Sequence, residues 1–367
     1  MIKVCHFSTV HPLNDSRVFI KECRSTASKE GFEVHLIIQH DNDELRDGVY
    51  IHALKKGKGR LYRIFIARLI AFFKCLKIKA HVYHFHDPEL LSIGIWLRIC
   101  GKKVVYDVHE DYPEQILDKK WLGPVLIRKL ISKLFYAYEQ FASWWFSGIV
   151  TATDTIKDKF SPKKTITIFN FASLEIMDKV KPNQDEVIPD NKKIVIYSGG
   201  LTRIRGIVEV IKAAEANPDC ELWLFGKFES KDFENECKQM AGWERTKWFG
   251  FQPLEVMFSY LRLADVGVCL LHPLPRYLVA LPTKAFEYMT YELPTLHTHS
   301  EFWESFFGDS IYFTQFEQSE INSKLAELLE NAELRKELGR KGRSLIEEKY
   351  CWERELPKLI DMYKRIA

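Results

Sequence analysis

The chain has 367 residues, 46% hydrophobic and 28% charged, which is long for one domain and suits two globular domains with real cores. Its formal net charge of +3 gives no bulk electrostatic pull toward nucleic acid, so no nucleic-acid partner is expected. The eight cysteines show no metal-binding spacing and fall largely in apolar runs, where they read as small buried hydrophobes. Met1 leads straight into a strand-like run rather than a signal peptide, and no apolar stretch reaches membrane-spanning length. A cytoplasmic protein with reduced thiols is the expectation.

Strand patterns over Ile2–Ser8, Glu33–Ile38, Val49–Leu54, His81–Phe85, Lys103–Val108, Gly148–Ala152 and Thr165–Phe169 alternate with helical stretches. Repeated βα units predict a parallel sheet covered by helices. A polar, acidic segment with Pro182 and Pro189 then reads as a linker over 173–191. The alternation restarts with strands at Lys193–Ser198, Glu221–Phe225, Thr246–Phe249, Val266–Leu271 and Pro294–His297. The expected fold is α/β: two Rossmann-like, doubly wound domains facing across a cleft, residues 1–172 and 192–350. In such sheets ligands bind beyond the carboxyl ends of the strands.

Two segments, Arg60–Lys79 and Trp121–Trp145, interleave basic residues with Ile, Leu, Phe and Trp. Each could be an amphipathic helix lying on an anionic membrane, although a helix packed on a sheet with its cations in water is the plainer reading. Peripheral attachment to the inner face of the plasma membrane is therefore an open expectation.

Five segments carry candidate chemistry. In LPTKAFEYMTYELP, Lys284 and Glu287 stand i, i+3 on a short helix entered through Pro282 and Thr283. Free amides at that helix start plus the lysine would make a phosphate site, and the carboxylate would suit a ribose; a surface ion pair is the plainer alternative. In YSGGLTRIRG, Gly199 and Gly200 permit close backbone approach and Arg205 sits at a strand-to-helix turn where a diphosphate would lie. A tight turn with a solvated arginine fits equally well.

His109, Glu110 and Asp111 end one N-terminal strand, and His84, His86 and Asp87 end another. The last three raise the question of a metal. Alternate positions on a strand share a face only in pairs, so no metal site is expected. His11, Asp15 and Arg17 follow the first strand, where Asp15 is also a natural helix cap. No G-x-S-x-G nucleophile elbow and no P-loop occur.

Taken together, the blocks GGLTRIRG, FGKFES, WFGFQPLEVMFSYLRLADVGVCLL and LPTKAFEYMTYELP resemble the retaining glycosyltransferases of family 4, which have the GT-B fold. STVHPLNDSRVFIKECR, HFHDPELL and VVYDVHEDYP are similar to a bacterial branch that builds surface polysaccharides. The resemblance implies a hexosyltransferase-type enzyme using a nucleoside-diphosphate sugar, UDP favoured, and a glycan or lipid-linked glycan acceptor.

It also implies a donor site of Gly199, Gly200, Arg203, Arg205, Gly226, Gly250, Leu254, Pro282, Thr283, Lys284 and Glu287. Arg205 and Lys284 would take the diphosphate, Glu287 the ribose, and Gly250 and Leu254 the base. His109 would lie near the transferred sugar, with His11, Asp15, Arg17, His86, Asp87, Glu110 and Asp111 on the sugar and acceptor side. No cofactor and no metal are expected. Two positions depart from the family pattern: Val279 replaces an acid eight residues before Glu287, and Gly200 replaces an arginine for which Arg203 could substitute. The final helix, 351–367, is expected to pack back on the N-terminal domain. A catalytically degenerate scaffold that binds the donor, and a sugar-nucleotide epimerase on the same fold, are the rival readings.

Overall fold

The computed structural model describes residues 1–55, 57, 62–189, 191–278 and 281–367. The chain divides into two compact units, residues 1–170 with 352–367, and residues 171–351. Each is built on one largely parallel sheet, so the fold is α/β with two Rossmann-like domains, the GT-B type.

The first unit holds strands β1 (Ile2–Pro12), β2 (Phe32–Gln39), β3 (Glu44–Arg46), β4 (Val49–Leu54), β5 (Val82–Phe85), β6 (Lys103–Val108), β7 (Gly148–Thr151) and β8 (Thr165–Thr167). Their order is β3-β4-β2-β1-β5-β6-β7-β8, parallel except where the short β3 pairs antiparallel with β4. Helices α1 (Arg68–Ile78), α2 (Leu91–Ile99), α3 (Tyr112–Asp118) and α4 (Val125–Trp145) connect them. One sheet face is covered by α1, α2 and α4, whose Ala71, Cys75, Leu91, Leu97 and Ala142 pack on Phe7, Phe85 and Tyr106. The central strands are buried on both faces, which is why they read as continuous apolar runs.

The second unit holds β9 (Lys193–Ser198), β10 (Cys220–Phe225), β11 (Thr246–Gly250), β12 (Val266–Cys269), β13 (Thr295–Thr298) and β14 (Tyr312–Thr314), ordered β11-β10-β9-β12-β13-β14 and all parallel. Its helices are α5 (Ile207–Ala216), α6 (Lys231–Lys238), α7 (Leu254–Leu261), α8 (Thr283–Thr290), α9 (Gln318–Glu330) and α10 (Ala332–Glu348). The order reverses between β9 and β12, so the carboxyl ends of β9, β10 and β12 open at a topological switch point. Residues 173–189 group with this unit: the Asn183 N–H donates to the Ser259 carbonyl (3.2 Å), and the Tyr260 hydroxyl donates to Glu186 (3.3 Å).

The last helix, α11 (Trp352–Ile366), belongs to the first unit and packs Trp352, Leu359 and Tyr363 on Val4, Val82 and Val105, on the sheet face opposite α1, α2 and α4. Tyr363 Oη lies 2.6 Å from His84 Nδ1 and 3.1 Å from His6 Nε2.

Candidate functional site

In the second unit a cavity of about 440 Å³ opens where β9 and β10 end and α8 begins. Eight of the expected donor residues line it: Gly199, Gly200, Arg205, Gly226, Leu254, Thr283, Lys284 and Glu287. The turn after β9 is held by side chains from its neighbours. Tyr288 Oη accepts from the Ser198 N–H (2.9 Å), and the Tyr197 hydroxyl donates to the Gly200 carbonyl (2.9 Å). Gly226 faces this turn at φ 140°, where a Cβ would fall 1.8 Å from the Gly199 carbonyl oxygen. No other residue fits there.

The positive groups converge on that turn. A Cβ added to Gly200 would lie 3.2 Å from Arg205 Nη1, and one added to Gly199 3.3 Å from Lys284 Nζ. Lys284 is buried in the first turn of α8, and its ammonium has no hydrogen-bond partner among the described residues. Burial lowers its pKa to about 7, and the nearby Arg205 guanidinium adds to the shift. Glu287 follows one turn later and is half-buried on the cavity wall. The arrangement is a cationic corner at the start of α8, whose first turn has no side-chain cap, with a carboxylate on the other side.

Three expected residues do not line the cavity. Arg203 is paired with Glu236 and lies over the Phe233 ring, 5.0 Å from its centre. Gly250 acts through its backbone, its carbonyl accepting the Gly226 N–H (2.7 Å). Pro282 caps α8 in an extended conformation. Val279 lies outside the described residues. The cavity adds Ser198, Phe225, Lys227, Phe251, Gln252 and Met257, which the sequence reading missed. Phe251 is 70% exposed with Lys227 Nζ 5.2 Å from its ring centre. An exposed phenylalanine just before a helix was the available signal.

The candidates of the first unit gather at the carboxyl ends of β1, β5 and β6. Asp87 is buried and accepts from the Ser8 hydroxyl (3.0 Å) and the Thr9 N–H (2.6 Å), which fixes the irregular end of β1. Asp15 caps the helical segment Ser16–Cys23 by accepting from the N–H groups of Arg17 and Val18, and it also holds His11 at 3.0 Å. Burial pulls the His11 pKa down, but Asp15 and Asp87 outweigh it and raise it. His11 and His109 meet edge to face, 5.2 Å between ring centres. His109 is almost buried, and burial lowers its pKa to about 3, so its imidazole is neutral.

Arg17 and His86 lie beneath these groups, both buried. Arg17 donates to Asp107 (2.9 Å and 3.3 Å) and to the Ile168 carbonyl (2.9 Å), and His86 Nδ1 lies 3.0 Å from Asp107 Oδ2. Glu110 is exposed and accepts from Gln115; Asp111 caps α3 and pairs with Lys159. His84 and His86 do come together, but with His6 and Glu22 rather than Asp87, their ligating atoms all within 4.8 Å. Their rings are engaged by neighbours, His6 Nδ1 lying 3.0 Å from His86 Nε2. The sequence reading missed His6, Glu22 and Asp107 because they stand on separate elements.

The two largely parallel sheets give the chain the GT-B fold, and the second carries a basic pocket beyond β9. Residues 178–345, within the second unit, match the family model described as glycosyl transferases group 1, and the protein is a glycosyltransferase by that domain. No curated protein matches the sequence. Among solved structures, the chain is similar to sucrose-phosphate synthase from Thermosynechococcus elongatus, with a TM-score of 0.75 at 14% identity, covering 100% of this chain and 99% of that one. It is similar to HepE from Anabaena, solved in complex with UDP and glucose, with a TM-score of 0.69 at 12% identity and 100% of both chains covered. It is also similar to WaaG, a glycosyltransferase involved in lipopolysaccharide biosynthesis, with a TM-score of 0.68 at 15% identity and 99% of both chains covered.

Proposed function

We propose that the protein is a retaining glycosyltransferase of family 4 that moves a sugar from a nucleoside-diphosphate sugar to a hydroxyl of a glycan or lipid-linked glycan. We place this reaction at the inner membrane surface, in bacterial surface-polysaccharide biosynthesis. The observation that carries the donor reading is the buried, unpartnered ammonium of Lys284, set beside Arg205 at the start of α8. An ammonium held there has no compensating acid at hydrogen-bonding distance among the described residues, and a diphosphate would supply the missing charge.

In this assignment Arg205, Lys284 and the free amides of α8 hold the diphosphate and stabilise the charge that develops as the bond from the anomeric carbon to the phosphate oxygen breaks. Glu287 accepts hydrogen bonds from the ribose. Phe251, Gln252 and Leu254 take the base. His109, neutral at working pH, orients the transferred sugar, and the acceptor hydroxyl gives its proton to the departing phosphate oxygen. The anion is met by fixed protein charges, so the reaction needs no metal ion. UDP is favoured because the similar HepE has been solved with UDP and with UDP-glucose.

The test is a thermal-shift and calorimetric comparison of UDP, GDP, ADP and their common sugar conjugates, with chelator and with a divalent cation. A shift with uridine nucleotides that survives the chelator supports the reading. Absence of any nucleotide shift overturns it.

A further inference from the structure

Helix α4 is inside out. Its buried residues are Ser132, Glu139, Ala142 and Ser143, and although Phe135 packs on the core, most of its large apolar side chains face solvent. Leu126, Leu130, Leu134, Phe141 and Trp145 are all exposed, and spacings of four and seven residues place them on one stripe. Leu126 and, beside the stripe, Trp144 are each 80% exposed. A helix that merely covers a sheet shows the opposite pattern.

The neighbouring helices extend this surface. On the same sheet face, α1 exposes Leu69, Ile70 and Phe73, and α2 exposes Trp96 and Ile99. The three helices are tied together: the Phe72 and Trp96 rings meet at 5.8 Å, and Arg98 donates to the Trp145 carbonyl at 2.6 Å. Scattered surface hydrophobics are ordinary, but a contiguous apolar field across three adjacent helices marks an interaction surface.

Charge decides the occupant. The exposed charged residues on these helices and at their ends are cations, among them Lys77, Lys79, Lys129 and Lys133. The one acid in the three helices is Glu139, which is buried and accepts from the Tyr106 hydroxyl at 2.8 Å. Two copies docked through this face would set lysine against lysine with no carboxylate between them, which disfavours self-association. An apolar field carrying only exposed cations, with tryptophan and tyrosine along it, complements a bilayer whose headgroups are anionic. No helix among the described residues is long and apolar enough to cross a membrane, so the contact is a surface one.

We propose that the face formed by α1, α2 and α4 docks on an anionic lipid bilayer, through Leu126, Leu130 and Trp144 inserted at the headgroup level and Lys129 and Lys133 on the phosphates. This gives the membrane-surface part of the functional reading a specific face, and it stands on that face alone, independent of the donor site.

The experiment is co-sedimentation of the full chain with vesicles of phosphatidylcholine alone and of phosphatidylcholine mixed with phosphatidylglycerol, at low and high salt. Wild type is expected to pellet with the mixed vesicles at low salt and to be released by salt. The pair Lys129→Gln and Lys133→Gln should weaken that binding roughly thirtyfold, in line with about one kcal/mol per lysine near an anionic surface. Leu126→Glu with Trp144→Glu should abolish it. Sedimentation equilibrium and UDP thermal shift run on every variant keep the outcomes separate. Unchanged vesicle binding in the Leu126→Glu, Trp144→Glu variant overturns the proposal, as does failure of wild type to bind. A wild-type dimer that this variant dissociates assigns the face to a second copy instead. Loss of the UDP shift in wild type defeats the donor reading without touching this one.

Discussion

The ammonium of Lys284 lies 3.5 Å from the centre of the Tyr197 ring, a cation–π contact deep in the pocket. Burial nevertheless brings its pKa down to about 7, so near neutrality the free site holds a mixture of charged and neutral lysine. A bound diphosphate favours the ammonium and raises that pKa. Nucleotide binding should therefore take up a proton at pH 8, where the free lysine is mostly neutral, and little at pH 6, where it is already charged. Affinity should fall as the pH rises above 7. Calorimetry in buffers of different ionisation enthalpy reads the uptake, and Lys284→Met should remove it. Persistence of the same uptake in that variant would reassign the titrating group.

Arg205 and Glu287 test the two ends of the donor separately. Arg205→Ala should weaken UDP and UDP-sugars alike by about 1.5–3 kcal/mol, the usual cost of a charged hydrogen bond. Glu287→Ala should cost a similar amount for UDP, and far less for a deoxy analogue lacking the ribose hydroxyls. Both are read as Kd by calorimetry. Wild-type affinity in both variants would sink the site assignment.

Gly226 tests the backbone of the same pocket. A methyl group there would meet the Gly199 carbonyl oxygen at 1.8 Å, and a φ of 140° is strained for any side chain. Gly226→Ala should displace the Gly199–Gly200 turn, lower Tm, and remove most UDP binding although no charged contact is deleted. Nucleotide affinity equal to wild type would show that the turn relaxes without cost.

How far the sequence carried the reading follows from where its signals sit. Strands such as Lys193–Ser198 and Lys103–Val108 were legible because a buried parallel strand is a short apolar run bounded by polar turns, and local pattern suffices to find it. The short edge strands Glu44–Arg46 and Tyr312–Thr314 were missed, since an edge of three residues has no such pattern. In the pocket, Arg205, Lys284 and Glu287 were legible because each stands in a local helix-start motif. Arg17 was expected beside the sugar, whereas the structure sinks it under the site against Asp107, ninety positions away in the chain. His6 and Asp107 are brought together by the side-by-side pairing of β1, β5 and β6, and Glu22 joins them from the helical segment Ser16–Cys23, a grouping that no sequence window contains. The inverted face of α4 was half visible: its mixed composition was plain, but which side it buried depended on the polar side chains that meet the sheet.

The Arg17–Asp107 pair gives the last prediction. Both side chains are buried, and Arg17 donates two bonds to the carboxylate. Burial alone would raise the Asp107 pKa, but Arg17, with His109 and His86, outweighs it and holds the carboxyl well below the ordinary aspartate range. Without Asp107 the buried Arg17 keeps one acid, Glu22, with Oε1 3.1 Å from its Nε, so Asp107→Asn should destabilise the first unit at neutral pH by less than the about 3–5 kcal/mol of a fully stranded charge. The depressed carboxylate contributes stability above the unfolded-state pKa of about 4 and loses it as the pH falls through the folded value. The deficit of Asp107→Asn relative to wild type should therefore be full at pH 7 and shrink on acidification below pH 4. Denaturant unfolding followed by hydrogen exchange, which resolves the two units separately, reads both effects. A deficit that stays constant from pH 7 down to pH 3 would show that asparagine fails for reasons of packing rather than charge.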